Sequence, residues 1–178
     1  MQIRRPSLED VEVLHQFFRL VITDTFAKEG LGHLLDDIEK EIESKRKLVS
    51  TDLESNGKDR YFLVAVMNDQ LLGTIEFGAA SNLIIECTNG ELQGLNEVGT
   101  VFVHPNYQRQ GIGTLLLNAM FLTLQNIGTE EFCLDSGYKT AQKIWQKKFG
   151  DPEYILKDYW GVGNDHLIWR RRLSQLLK

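Results

Sequence analysis

The stretch from Asn96 to Leu122 constrains this chain most, because three different local preferences follow one another there without a break. Asn96-Glu97-Val98-Gly99-Thr100-Val101-Phe102-Val103 is rich in β-branched residues and reads as a strand. Pro105, which has no N–H to give to a ladder, stops it just after His104. From Leu115 to Leu122 the chain is an apolar helix former. Between strand and helix, Gly111 and Gly113 remove side chains, so a ligand can lie directly on the peptide N–H groups of Gln108 to Thr114. The first turn of a helix carries unpaired N–H donors and the positive end of the dipole, a combination that favours an anion such as phosphate.

The two commonest nucleotide loops do not fit. A P-loop needs Gly-Lys-Ser/Thr, and Gly113 is followed by Thr114 and Leu115. A dinucleotide fingerprint needs a third glycine at position 116, which is Leu116. Gln108-Arg109-Gln110-Gly111-Ile112-Gly113 instead resembles the acetyl-CoA signature Gln/Arg-x-x-Gly-x-Gly/Ala of the GNAT N-acetyltransferase superfamily. Val101-Phe102-Val103-His104-Pro105 leads into it as that family's fourth strand does.

The resemblance implies an α/β fold with a mixed, mostly antiparallel, splayed central sheet flanked by helices. It implies acetyl-CoA as co-substrate and no metal. Gln108, Arg109, Gln110, Gly111, Ile112, Gly113 and Thr114 would hold the CoA pyrophosphate, and a backbone N–H of Phe102 or Val103 would polarise the thioester carbonyl. Gly99 is consistent with a bulge in that strand.

At 178 residues the chain predicts one domain. With 42% hydrophobic and 25% charged residues, no long apolar run and no signal-peptide pattern at the start, the expectation is a cytoplasmic protein without a membrane segment. Cys87 and Cys133 are far apart and fit no metal spacing, and His15, His33, His104 and His166 are scattered. A net charge of −5 argues against nucleic acid, despite the short run Arg170-Arg171-Arg172, and mildly suits a cationic amine acceptor.

Along the chain, Gln2 to Arg5 is a strand candidate, and Ser7 with Asp10 three residues on opens a helix that runs to about Phe26 on Val11, Leu14, Phe17, Phe18, Val21 and Ile22. Leu34, Leu35, Ile38 and Ile42 outline a second helix, with residues 52–59 read as an exposed loop. In the superfamily the connection between these helices shapes the acceptor pocket, where Asp24 or Glu29 could meet an amine. Residues 61–66 and 71–77 form a hairpin across Asn68-Asp69-Gln70, and residues 83–93 read as an extended hairpin around Asn89-Gly90, serving as a lid or a dimer contact. Glu131 to Asp135 is a buried strand and Lys139 to Phe149 a helix with Ala141, Ile144, Trp145 and Phe149 on one stripe. A last hairpin pairs 154–160 with 166–173.

The family reaction transfers acetyl directly from the thioester to an amine. Glu97 stands where several members place a glutamate base, often acting through water; as a lone residue it reads equally as a solvated strand-end carboxylate. Where members read Asn-x-x-Ala-x-x-Leu-Tyr, this chain reads Tyr138-Lys139-Thr140-Ala141-Gln142-Lys143-Ile144-Trp145, and a tryptophan has no acidic proton to give. Either the thiolate leaves unassisted or Tyr138 supplies the proton. The sequence therefore predicts an acetyl-CoA-dependent N-acetyltransferase acting on a primary amine of a small molecule or peptide. Its alternative is a non-catalytic CoA-binding sensor of the same fold. A homodimer is compatible with either.

Overall fold

In the computed structural model, which describes residues 1–177, the first helix begins at the expected closure. Asp10 Oδ2 accepts the Ser7 N–H at 2.7 Å, and the Asp10 N–H donates to the Ser7 carbonyl at 3.1 Å. Strand β1 (Gln2–Arg4) precedes this turn, and α1 (Val11–Lys28) follows it, burying Leu14, Phe17, Phe18, Val21, Ile22 and Phe26.

Helix α2 (Leu35–Ser55) is longer than the sequence suggested. Residues 52–59 are not an exposed loop from their start: Asp52 to Ser55 are the last helical turn, and Asn56 and Gly57, at φ 51° and 78°, close it with the Gly57 N–H returning to the Asp52 carbonyl at 2.9 Å. The Ser55-Asn56-Gly57 signal is a left-handed helix stop. Asp52 is fully buried; Oδ2 accepts the Phe62 N–H at 2.6 Å and Oδ1 accepts from Arg5 at 2.7 Å. Such a carboxylate is tolerated inside because both oxygens are paired.

Strands β2 (Arg60–Met67) and β3 (Gln70–Ala79) are joined by Asn68-Asp69, both in the left-handed region (φ 50° and 59°), as a two-residue hairpin requires. The expected hairpin at 83–93 is absent. Asn82–Cys87 is instead a short helix, α3, N-capped by Ser81, whose hydroxyl accepts the Ile84 N–H at 3.4 Å. Thr88 Oγ1 donates back to the Ile84 carbonyl at 2.7 Å, and Ile84 and Leu92 are buried. Burial of those two side chains overrides the β preference of the Ile84-Ile85 pair.

The chain continues through β4 (Asn96–Val103), α4 (Ile112–Asn126), β5 (Glu131–Ser136), α5 (Lys139–Phe149), β6 (Tyr154–Leu156) and β7 (His166–Arg172). The final hairpin is shorter than expected, β6 having only three residues, so that residues 157–165 form the loop to β7. On α5, Trp145 is buried and stacks on Phe149 at 5.7 Å, but Ile144 is exposed, so the apolar stripe is narrower than the spacing implied.

The seven strands run in the order β1-β2-β3-β4-β5-β7-β6. β4 and β5 are parallel, while the pairs β1–β2, β5–β7 and β6–β7 are antiparallel. This is the mixed, mostly antiparallel sheet with flanking helices that the family resemblance implied. Two compact units partition the chain. The first comprises Met1–Phe77 and Thr100–Thr123; the second comprises Gly78–Gly99 and the described residues from Leu124 onward.

In the first unit, Phe18 lies edge-on to Phe102 at 6.2 Å and tilted against Phe62 at 6.5 Å. In the second, Ala80, Ile84, Leu92, Cys133 and Ile168 form the buried cluster.

Candidate active site

The first unit holds the strand-loop-helix junction. β4 ends at Val103, His104 donates its N–H to the Leu72 carbonyl at 2.8 Å, and Pro105–Tyr107 forms one 3-10 turn capped by His104 Nδ1, which accepts the Asn106 N–H at 3.2 Å. The Tyr107 hydroxyl ties the turn to β3 by donating to Gln70 at 2.9 Å. The loop then winds through left-handed conformations at Arg109 (φ 60°) and Gly111 (φ 85°) before α4 starts at Ile112.

Among the described residues, none of the N–H groups of residues 108–113 donates to another peptide carbonyl; the first such bond at this helix is Leu115 N–H to Gly111 at 3.0 Å. Residues 108–111 are exposed. A side chain at Gly111 would meet nothing within 4 Å, and one at Gly113 would meet only Val103 Cγ2 at 3.6 Å. The face above both glycines is open, and N–H donors beside a helix N-terminus are the kind of group that favours an anion. Arg109 and the Gln108 and Gln110 side chains border that face, Gln108 donating to the Val103 carbonyl at 3.3 Å and accepting from Lys28 at 3.4 Å.

Gly73 sets how closely β4 and α4 approach β3. A Cβ there would stand 2.8 Å from the Phe102 carbonyl oxygen and 2.9 Å from Leu116 Cδ1, so only glycine fits. The signal for this was a lone glycine inside a strand. Ile112, Leu116, Leu117 and Met120 are buried and anchor the helix below the cradle. Phe102 and Val103 thus lie on the strand that feeds the loop, both partly exposed. Of the acids considered near the first two helices, Asp24 pairs with Lys28 at 2.7 Å, and Glu29 is the residue capping the end of α1.

The second unit holds the two residues singled out for proton transfer. Glu97 is in register with Cys133 of β5, and its Oε2 accepts the Ser81 N–H at 2.7 Å, at the start of α3. That bond orients the carboxylate. Tyr138 is the residue preceding α5; its N–H donates to Ser136 Oγ at 3.0 Å and its carbonyl accepts the Gln142 N–H at 2.9 Å. Burial pushes the Cys133 thiol up to about 12, with the Glu97 and Asp135 carboxylates adding to the effect, which disfavours the reactive thiolate.

One cluster in this unit escaped the sequence. His166 Nε2 lies 2.8 Å from Asp135 Oδ2, and Nδ1 accepts the Trp160 indole N–H at 3.1 Å. Gly137 makes room for it, since a Cβ there would stand 2.7 Å from the indole nitrogen. No local pattern joins residues 135, 160 and 166; the β5–β7 register does.

Among the described residues, no group of three or more His, Cys, Asp or Glu could hold a metal ion, and no helix is long and apolar enough to cross a membrane.

A glycine-containing loop at a strand-helix junction, on this strand order, is the layout of the GNAT N-acyltransferase fold. The sequence profile of the acetyltransferase (GNAT) domain matches residues 58–150, and the chain belongs to the GNAT acetyltransferase family. No curated protein matches it in sequence.

Solved structures share the fold at low identity. A Desulfovibrio desulfuricans protein assigned to the GNAT family aligns at 16% identity and TM-score 0.73, covering 97% of this chain and 98% of its own. The ribosomal-protein-alanine N-acetyltransferase of Brucella melitensis aligns at 18% and 0.69, covering 97% and 99%. The PaiA N-acetyltransferase of Thermoplasma acidophilum, solved with coenzyme A, aligns at 21% and 0.67, covering 96% and 98%.

Proposed function

We propose that this protein is an acetyl-CoA-dependent N-acetyltransferase that passes the acetyl group to a primary amine of a small molecule or peptide by direct attack in a ternary complex. The observation that carries the reading is the row of N–H donors from Gln108 to Gly113 at the start of α4, none of which, among the described residues, bonds another peptide carbonyl, beneath a face kept open by Gly111 and Gly113. Free backbone donors beside a helix N-terminus suit a phosphate group, and the two glycines leave the space above them open to it. The complex of the PaiA enzyme with coenzyme A supports the choice of ligand.

In this reading Gln108 to Thr114 take the pyrophosphate, and a backbone N–H of Phe102 or Val103 polarises the thioester carbonyl. Glu97, oriented by the Ser81 N–H, removes the proton from the acceptor ammonium directly or through water, and Tyr138 protonates the departing thiolate. Trp145, buried and stacked on Phe149, fills the helix position where a tyrosine would supply that proton. This substitution is the one observation that favours the second reading, a CoA-binding sensor without turnover. A cytoplasmic setting belongs to the same proposal.

The test is thiol release from acetyl-CoA with a panel of primary amines: polyamines, aminoglycosides, amino acids and peptides with free N-termini. Amine-dependent release supports the transferase. Tight CoA binding with no release from any amine supports the sensor instead.

A further inference from the structure

Thr100 sits in the left-handed region, at φ 49°, in the middle of β4. A β-branched residue is poorly suited to that conformation, and the preceding residue, Gly99, would adopt it at no steric cost. The left-handed residue is nevertheless the threonine, and its hydroxyl donates to Glu76 Oε1 at 3.0 Å.

The surroundings determine this bend several times over. Glu76 is only 3% exposed on β3, and its other oxygen accepts from Arg60 Nη1 of β2 at 3.0 Å. The Thr100 carbonyl accepts the Thr74 hydroxyl at 2.8 Å. Among the described residues Arg60 Nε is buried with no hydrogen-bond partner, and Nη1 holds the guanidinium on Glu76. Side chain and carbonyl of Thr100 are therefore both pinned to β3, and β3 is braced by β2. Strained backbone persists only when its surroundings over-determine it, and this set does so immediately before Val101-Phe102-Val103.

We propose that Glu76 and Thr100 form a positioning pair for acyl transfer: the hydroxyl, anchored on the buried carboxylate, fixes the backbone direction of the strand leading to Phe102 and Val103, one of whose N–H groups would polarise the thioester carbonyl. The inference rests on the acetyltransferase reading and adds to it two residues that touch neither substrate. Arg60 keeps the carboxylate in place, and Thr74 holds the opposite side of the same peptide.

The experiment compares Thr100→Val and Thr100→Ala, which lack the hydroxyl, with Thr100→Ser, which keeps it, using the full chain, acetyl-CoA and the best amine of the panel. Asp52→Asn serves as a control for lost stability, since Asp52 is a buried, ion-paired carboxylate with no part in the site. The Val and Ala variants are expected to lose at least about tenfold in kcat, the order of a misplaced carbonyl donor, while the Kd for CoA stays within about twofold. Thr100→Ser should recover kcat to within about threefold. Asp52→Asn should melt lower with kcat at 25 °C unaltered.

Wild-type kcat in either hydroxyl-free variant overturns the pair, as does a loss that follows melting temperature across all the variants, Asp52→Asn included. A wild-type protein that releases no thiol with any amine removes the acetyltransferase reading, and the pair falls with it. Wild-type turnover beside indifferent Thr100 variants removes the pair alone.

Discussion

Nδ1 of His166 accepts the indole N–H of Trp160 at 3.1 Å, and this single bond fixes the proton on the histidine. An indole nitrogen only donates, so Nδ1 is bare; the remaining ring proton is on Nε2 and is given to Asp135. Nitrogen NMR of the imidazole should show the Nε2–H tautomer, and a dominant Nδ1–H form would contradict the arrangement. Trp160→Phe should leave Nδ1 of a 5%-exposed histidine unpaired. The expected loss is about 1–2 kcal/mol, seen as a melting temperature roughly 2–8 °C lower.

Asp10 gives a pH signature. The Arg4 guanidinium, donating two hydrogen bonds, holds its carboxyl down at about 2 from an ordinary 3.8; partial burial opposes this, and the Ser7 N–H, the Arg4 charge and the Ser7 hydroxyl add to it. A carboxyl whose folded pKa is depressed contributes stability above the unfolded value and loses it as pH falls through the folded one. The contribution should thus be whole above about pH 4 and vanish towards pH 2. Asp10→Asn should flatten that part of the melting-temperature profile; an unaltered profile would show that other carboxylates dominate it.

Glu97→Gln keeps an oxygen for the Ser81 N–H and removes the charge, so the fold should persist while turnover falls at least about tenfold. Raising the pH should recover part of the loss by deprotonating the amine without assistance. Tyr138→Phe should lower turnover with CoA affinity intact, whereas Trp145→Phe should not reduce the high-pH rate. Equal and negligible effects of Tyr138→Phe and Trp145→Phe would show that the thiolate leaves without an acid.

Much of this architecture was legible because its signals are local. Asn68-Asp69 dictated the β2–β3 turn, and Ser7 with Asp10 the closure before the first helix. The 83–93 segment was not legible, because a short apolar run such as Leu83-Ile84-Ile85 fits strand and helix alike and Asn89-Gly90 serves a helix exit as well as a hairpin. Pairings distant in sequence were equally hidden. Asp52 with Arg5, Glu76 with Thr100 and Asp135 with His166 exist only once the strands are in register. Thr100 itself was masked by its type, since a β-branched residue reads as regular strand and the expected irregularity fell on Gly99, one residue early.

The cradle is tested most directly by calorimetry of CoA binding to wild type and to Gly113→Glu. Gly113 has no positive φ, and a Cβ there meets only Val103 Cγ2 at 3.6 Å, so the substitution is compatible with the fold. Its carboxylate, however, would enter the space reserved for the pyrophosphate and oppose its charge. The account predicts clear CoA binding by wild type and none by a folded Gly113→Glu protein. A folded variant that binds CoA as wild type does would contradict it.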